Sequence, residues 1–151
     1  MRRKHPSPPE PVKVTMPDNL SPSQRRYCMS RIRTRDTDIE QMVRSELHKR
    51  GFRFRKHPKD MPGKPDIVFP RARVAVFVDG DFWHGYRFPA WRDKVSSFWR
   101  DKISKNRLRD ERTFKKLRRT GWRVIRIWQH EIENDLPRCV QRIVDAVRAG
   151  Q

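Results

Sequence analysis

Asp66 and Asp79 bracket the stretch of this chain with the clearest chemical potential, Met61 to Trp83. Asp66 opens the apolar run Ile67–Phe69, and Asp79 closes a second run, Val74–Val78. If the two runs pair as a hairpin, both carboxylates reach one edge of a sheet. Convergent carboxylates on rigid strands suit a hard divalent cation such as Mg2+, which takes oxygen ligands. Such an ion polarises a phosphoryl oxygen, activates a bound water and neutralises a leaving oxygen. His84 follows closely and can carry the proton for either event. The same residues also fit an ordinary turn, since Asp after Pro and Asp-Gly are common turn dipeptides. Glu40 has two roles open. It can complete a capping box with Thr37, or it can bring a third acid to the sheet edge.

A second group of side chains follows the second run. Gly80–Pro89 holds Phe82, Trp83, His84, Tyr86 and Phe88, with neither the alternation of a strand nor the spacing of a helix. Phe82 and Trp83 either stack on or wedge between bases, which kinks a duplex, or they plug the core beneath the loop.

The elements that must hold these residues can be read from pattern. The runs Ile67–Phe69 and Val74–Val78 are β-branched and flank a short basic turn, Pro70–Arg73, as in a hairpin. Thr37 caps a helix carrying Ile39, Val43 and Leu47 and stopped by Gly51. Phe52–Arg55 alternates as a first strand. Val95–Thr120 reads as a long basic helix with an apolar stripe of Val95, Phe98, Trp99, Ile103, Leu108, Phe114 and Leu117, ended by Gly121. Trp122–Trp128 reads as a strand buried on both sides. Glu131–Ala149 reads as a closing helix, with Pro137 at a start or break. The order predicts one α/β domain over residues 24–151, a mixed central sheet flanked by helices. Residues 1–23, basic and proline-rich, read as a flexible arm.

Composition narrows the partner. The chain has 151 residues, with 37 Lys and Arg against 18 Asp and Glu, a net charge of +19. That excess points to a polyanion, nucleic acid before a membrane surface, since no basic amphipathic helix with a clean apolar face stands out. No apolar run is long enough to span a bilayer, and the N-terminus lacks a signal-peptide core. A cytoplasmic, nucleoid-associated protein is expected. Cys28 and Cys139 are far apart and form no metal or disulfide pattern, so structural thiols are expected. Most of the basic side chains on the long helix face solvent in this reading. Those nearest the hairpin edge, such as Lys102 and Lys105, are placed to meet phosphates.

Five ordered blocks resemble the very short patch repair (Vsr) DNA mismatch endonucleases. They are Met29-Ser-Arg-Ile32-Arg-Thr34-Arg-Asp-Thr37-Asp-Ile-Glu40, Pro62-Gly-Lys-Pro-Asp66-Ile-Val, Phe77-Val-Asp-Gly80-Asp-Phe82-Trp83-His84, Phe98-Trp99-Arg-Asp-Lys102-Ile-Ser-Lys105-Asn106, and Gly121-Trp122-Arg-Val-Ile. The resemblance implies a restriction-endonuclease-like fold. It also implies Mg2+-dependent nicking 5′ of the thymine in a T:G mismatch left by deamination of 5-methylcytosine. Asp66 then corresponds to the metal-binding catalytic aspartate and Val78 to a residue that binds metal through its backbone carbonyl. Glu40 and His84 correspond to an active-site acid and histidine. Phe82, Trp83 and Trp99 correspond to aromatics that intercalate beside the mismatch, and Met29 and Ile32 to apolar residues inserted from the other groove. Lys102, Lys105 and Asn106 fall in the same DNA-facing block. The partner is mismatched double-stranded DNA, together with a DNA cytosine methyltransferase system and repair factors.

The chain departs from the family at two places. Asp79 stands where members often have a histidine, so it is expected to ligate the metal or activate water. Asp81, Tyr86, Phe88 and His130 stand where members hold a structural zinc with cysteines and a histidine. No thiolate is left there, so no zinc is expected and the loop should be held by its aromatics. Two alternatives share these features: a restriction or defence nuclease of the same fold with another DNA target, and a DNA-binding module without catalysis. Whichever holds, duplex affinity should fall by roughly 10³-fold or more between about 50 and 200 mM salt as phosphate counterions are released. A binding titration across salt checks this, and a flat response contradicts the polyanion reading.

Overall fold

The computed structural model describes residues 21–24 and 37–151. The arm assigned to residues 1–23, apart from its end at residues 21–23, lies outside the described residues, as do Cys28, Met29 and Ile32. A mixed four-stranded sheet in the order β1-β2-β3-β4 forms the centre: β1 (Arg55–Lys56), β2 (Ile67–Phe69), β3 (Val74–Asp79) and β4 (Arg123–Trp128). β1, β2 and β3 run antiparallel, and β3 and β4 run parallel from Val74↔Arg123 to Asp79↔Trp128. The hairpin pairs Ile67 with Val76 and Phe69 with Val74. Arg73 takes the left-handed conformation in its turn, with φ +53°.

Helix α1 (Asp38–Lys49) starts where Thr37 accepts the Glu40 N–H at 3.4 Å. Val43 and Leu47 face the sheet and are fully buried, each contributing about 1.5–3 kcal/mol from apolar burial. After β3, the chain makes a short helix α2 (Phe88–Trp91), a 3-10 turn at Arg92–Lys94, and the long α3 (Ser97–Arg119). β4 is followed by α4 (Gln129–Asn134) and α5 (Leu136–Ala149). α1 and α5 cover one face of the sheet, where Val43, Leu47, Ile67, Val76, Ile127, Val140 and Ile143 form the main core. α3 covers the other face, with Phe114 and Leu117 against Ala75 and Phe77. A third cluster, Phe88, Trp91 and Ile103, lies under the aromatic loop.

The mixed sheet, the hairpin and the long helix match the sequence reading, and four details differ. The first strand is Arg55–Lys56 rather than Phe52–Arg55, because Phe52 and Phe54 turn their rings onto Phe69 instead of pairing their backbone. β4 is not buried on both sides. It is an edge strand among the described residues, and only Ile125 and Ile127 are buried on it. The closing helix is broken at Asp135, which caps α5 by accepting the Arg138 N–H at 3.1 Å, with Pro137 in the first turn where its missing N–H costs nothing. Phe98 and Leu108, counted in the stripe of α3, are exposed.

Gly85 fixes how the aromatic loop meets α3. Its φ is +69°, and a Cβ there would come within 2.8 Å of Ile103 Cγ2 and 2.7 Å of Arg107 Cδ. Ile103 is fully buried and has no room to yield. Gly85→Ala should therefore cost about 2–4 kcal/mol, combining backbone strain with overpacking. Chemical denaturation of the variant against wild type reads this directly, and a change within 0.5 kcal/mol would show the contact to be soft.

Candidate active site

Asp66 is fixed by backbone on both sides. Its N–H donates to the Val76 carbonyl at 2.9 Å, and its carbonyl accepts the His57 N–H at 3.3 Å. Its carboxylate Oδ2 accepts the Val78 N–H at 2.6 Å. The two strand ends therefore meet. Alternate residues of a strand present N–H and C=O to the same neighbour, so the carbonyl of Val78 faces the border that holds Asp66. Glu40 lies on the sheet-facing side of α1, one turn before Val43, and its Oε2 is 3.2 Å from His57 Nε2 and 3.3 Å from Arg44 Nη1. His57 Nδ1 stands 3.7 Å from Asp66 Oδ1. One donor atom from each of Glu40, His57 and Asp66 falls within 4.8 Å of the others, a group able to hold a cation.

The electrostatics of this group favour a cation. Asp66 is 8 % exposed. Burial first, and the neighbouring Glu40 carboxylate second, push it up to about 8, against the pull of the Val78 N–H. Arg44 pairs with Glu40, and a divalent cation would add the positive charge that lets both buried carboxylates ionise.

Asp79 belongs to a different set. Successive side chains of β3 alternate between faces, so Asp79 follows Ala75 and Phe77 toward α3. Its Oδ2 accepts Arg126 Nε at 2.8 Å, and its Oδ1 is 3.4 Å from His84 Nε2. Asp110, on α3, accepts His84 Nδ1 at 2.7 Å and Arg126 Nη2 at 2.9 Å. An ionised carboxylate only accepts, so Nδ1 of His84 carries the hydrogen and Nε2 is the working atom. Burial pushes Asp79 above the usual carboxylate range, and His84 and Arg126 pull it back. The aspartates that the sequence joined around one ion thus fall into two neighbouring clusters.

The aromatic loop packs on itself. The Phe82 ring stacks on Trp91 at 5.6 Å and meets Trp83 and Trp99 edge-on at 5.0 and 5.8 Å. Phe82 and Trp83 are half-buried, and Trp99 is 1 % exposed. Asn106 Nδ2 donates to the Trp83 carbonyl at 2.9 Å, anchoring the loop to α3. Lys105 is exposed and Lys102 half-buried on the same helix. Where a zinc cage was considered, His130 Nδ1 bonds Asp81 Oδ1 at 2.8 Å and the Tyr86 ring lies 4.3 Å from His130. Phe88 meets Trp91 edge-on at 5.0 Å. Beside this loop a cleft of about 660 Å³ opens, lined by Arg92, Arg107, Lys115, Arg118 and Arg126 over Phe88 and Phe114.

The family described as DNA mismatch endonuclease Vsr matches residues 17–89. The type II nicking enzyme V.XorIIP of Xanthomonas oryzae pv. oryzae is 47 % identical over 79 % of this chain and 89 % of its own. The DNA mismatch endonuclease Vsr of Escherichia coli is 38 % identical over 76 % of this chain and 74 % of its own. The type II nicking enzyme V.NmeAIP of Neisseria meningitidis is 37 % identical over 87 % of this chain and the whole of its own. The chain belongs to the Vsr family. It is a DNA endonuclease of the mismatch-nicking kind, and its mixed sheet flanked by helices is the restriction-endonuclease-like fold expected of a Vsr protein. No helix of the described residues is long and apolar enough to cross a membrane.

Three residues of this Vsr site escaped the sequence reading. Asp110 had a signal: with Ile103, Phe114 and Leu117 it lies on the inward stripe of α3, so a charge there needed a partner. Arg126 likewise interrupts a strand of apolar residues. His57 had none, since its position rests on a left-handed backbone, φ +47°, in a polar loop. Cys139 is free and buried, and burial pushes its thiol up, so it is a structural thiol.

Asp66 makes the metal-free protein pH-sensitive. The folded protein holds its proton up to about pH 8, whereas the unfolded chain releases it near 3.8. Between those values the native state binds more protons, so this contribution is full below the lower value and is lost as pH rises toward the upper. Asp66→Asn should remove that slope and stabilise the metal-free protein at pH 8 by about 2 kcal/mol, a rise in Tm of roughly 4–8 °C. Thermal melts of both proteins with divalent cations chelated test this, and equal slopes would contradict it.

Proposed function

We propose that this Vsr protein nicks double-stranded DNA 5′ of the thymine in a T:G mismatch and that Mg2+ is its cofactor. The observation that carries the reading is the convergence of Asp66, Glu40 and the backbone of Val78 at one border of the sheet, where burial and the Glu40 carboxylate raise the proton affinity of Asp66. Such a pair favours a divalent cation because the ion offsets the desolvation that otherwise keeps a proton there. Asp66, Glu40 and the Val78 carbonyl would hold it. When bound, it supplies Lewis-acid activation of the phosphodiester and of a water.

The chain's own residues do the rest. Water adds to phosphorus and the bond to the leaving oxygen breaks, with a proton passing from the water side to the leaving side. His84, fixed through Nδ1 by Asp110, handles that proton at Nε2. Asp79 flanks the same nitrogen and helps to orient it. Phe82, Trp83 and Trp99 sit beside this point as the wedge for a mispaired step. The free arrangement packs them together, so insertion calls for the loop to open. Lys102, Lys105 and the cleft arginines meet phosphates. Met29 and Ile32 are assigned to the opposite groove by the family resemblance. The basic arm at residues 1–23 adds non-specific attraction, and the natural partner is a cytosine methyltransferase system, whose 5-methylcytosine yields the mismatch on deamination.

Matched, T:G and modified duplexes assayed with Mg2+ test this. A single nick in the thymine strand of the T:G duplex is expected, and Asp66→Ala should lower its rate by roughly 10²–10³-fold or more while binding persists. Equal cleavage of every duplex would favour a restriction or defence role. Absence of cleavage with Mg2+ or Mn2+ would leave a DNA-binding module.

A further inference from the structure

The second cluster has the composition of a cation site. Asp79, His84 and Asp110 each offer a ligand atom within 4.8 Å of the others. Its interior already contains a positive group. Arg126 bonds Asp79 through Nε at 2.8 Å and Asp110 through Nη2 at 2.9 Å. With His84 between the same two carboxylates, the four side chains close a ring: His84 to Asp110, Asp110 to Arg126, Arg126 to Asp79, Asp79 back to His84. The guanidinium also lies against two aromatic rings, with Cζ 4.1 Å from the Trp128 ring centroid and 5.0 Å from that of Phe114. A planar fork bonded to two carboxylates and packed near two rings has little freedom to swing out.

We propose that Arg126 is the resident cation of this cluster: it holds Asp110 and Asp79 on His84 and leaves one divalent-cation site among the described residues, the one at Glu40 and Asp66. The inference rests on reading that first group as the cation site. A divalent ion entering the second cluster would face a fixed positive charge at contact distance and would have to strip two charge-assisted hydrogen bonds. The positive charge that a second ion would add to this cluster comes instead from a side chain on β4, with β3 lying between it and the strand that Asp66 opens. Arg126 is a positioning residue in this scheme, acting through Asp110 and Asp79 on His84.

Counting bound Mn2+ without DNA tests the assignment, using the electron paramagnetic resonance signal of the free ion. Wild type should bind one equivalent, Asp66→Asn none, and Asp79→Asn one. Arg126→Met, which keeps bulk and removes charge, should bind two. Arg126→Lys, which keeps the charge but loses the fork, should bind one. The same two variants should both disturb the ring resonances of His84 by nitrogen NMR, since neither can bridge Asp79 and Asp110. Two equivalents in wild type, with one lost in Asp79→Asn, would overturn the role of Arg126. So would a single equivalent in Arg126→Met, or His84 resonances unchanged in both variants. No binding to wild type would overturn the cation reading of Glu40 and Asp66, and this inference with it. If Arg126→Met does not fold, wild type and the two aspartate variants still decide the stoichiometry.

Discussion

The hydrogen bond from the Val78 N–H to the buried Asp66 carboxylate is the constraint on which the site depends. It spends a main-chain donor of β3 on a side chain that precedes β2, where a longer β2 would have taken it. The hairpin ladder therefore stops at that point, and the strand border is left with a carboxylate in place of a paired backbone. Glu40 arrives there because the helix cap at Thr37 fixes the rotation of α1, and the residue one turn ahead of the buried Val43 has no other face to present. The acidic group is thus a product of the fold's own packing. It is held in a strained electrostatic state that a folded protein tolerates for function.

The sheet separates two tasks. On the α1 side lie Asp66, whose proton affinity burial raises, and Glu40 beside it. On the α3 side lies the closed ring of His84, Asp110, Arg126 and Asp79, in which each carboxylate oxygen that bonds has a named donor. β3 serves both: the Val78 backbone lies in the plane of the sheet and faces Asp66, while the Asp79 side chain leaves the sheet toward α3. This explains how consecutive residues contribute to different parts of one centre. It also explains why a one-residue slip of β3 would dismantle both.

The elements themselves were legible where local chemistry and packing agree. The hairpin could be read from two β-branched runs around a basic turn, the long helix from its stripe and its terminal Gly121. β4 misled because Val124, Ile125 and Ile127 look like a continuous apolar run, while Arg126 and Trp128 turn toward α3 and the strand has one neighbour only among the described residues. At the candidate site, Asp66, Asp79 and His84 could be singled out from residue type and nearness in sequence, and nearness in sequence was also what grouped Asp66 with Asp79. The contributions of His57, Asp110 and Arg126 are long-range. Each comes from a separate element, and no window of the sequence contains them together.

The loop that bears the aromatics has a further consequence. Its ties are an Asp81–His130 hydrogen bond, a tyrosine against that imidazole, and rings wedged over Trp91 and Ile103. A tetrahedral metal knot holds with all its ligands or not at all. A cluster of interlocking rings weakens by degrees, because one ring can be exchanged for another of similar volume while its neighbours re-seat. Such a loop can exchange its rings gradually in sequence and reshape its surface without passing through an unfolded intermediate.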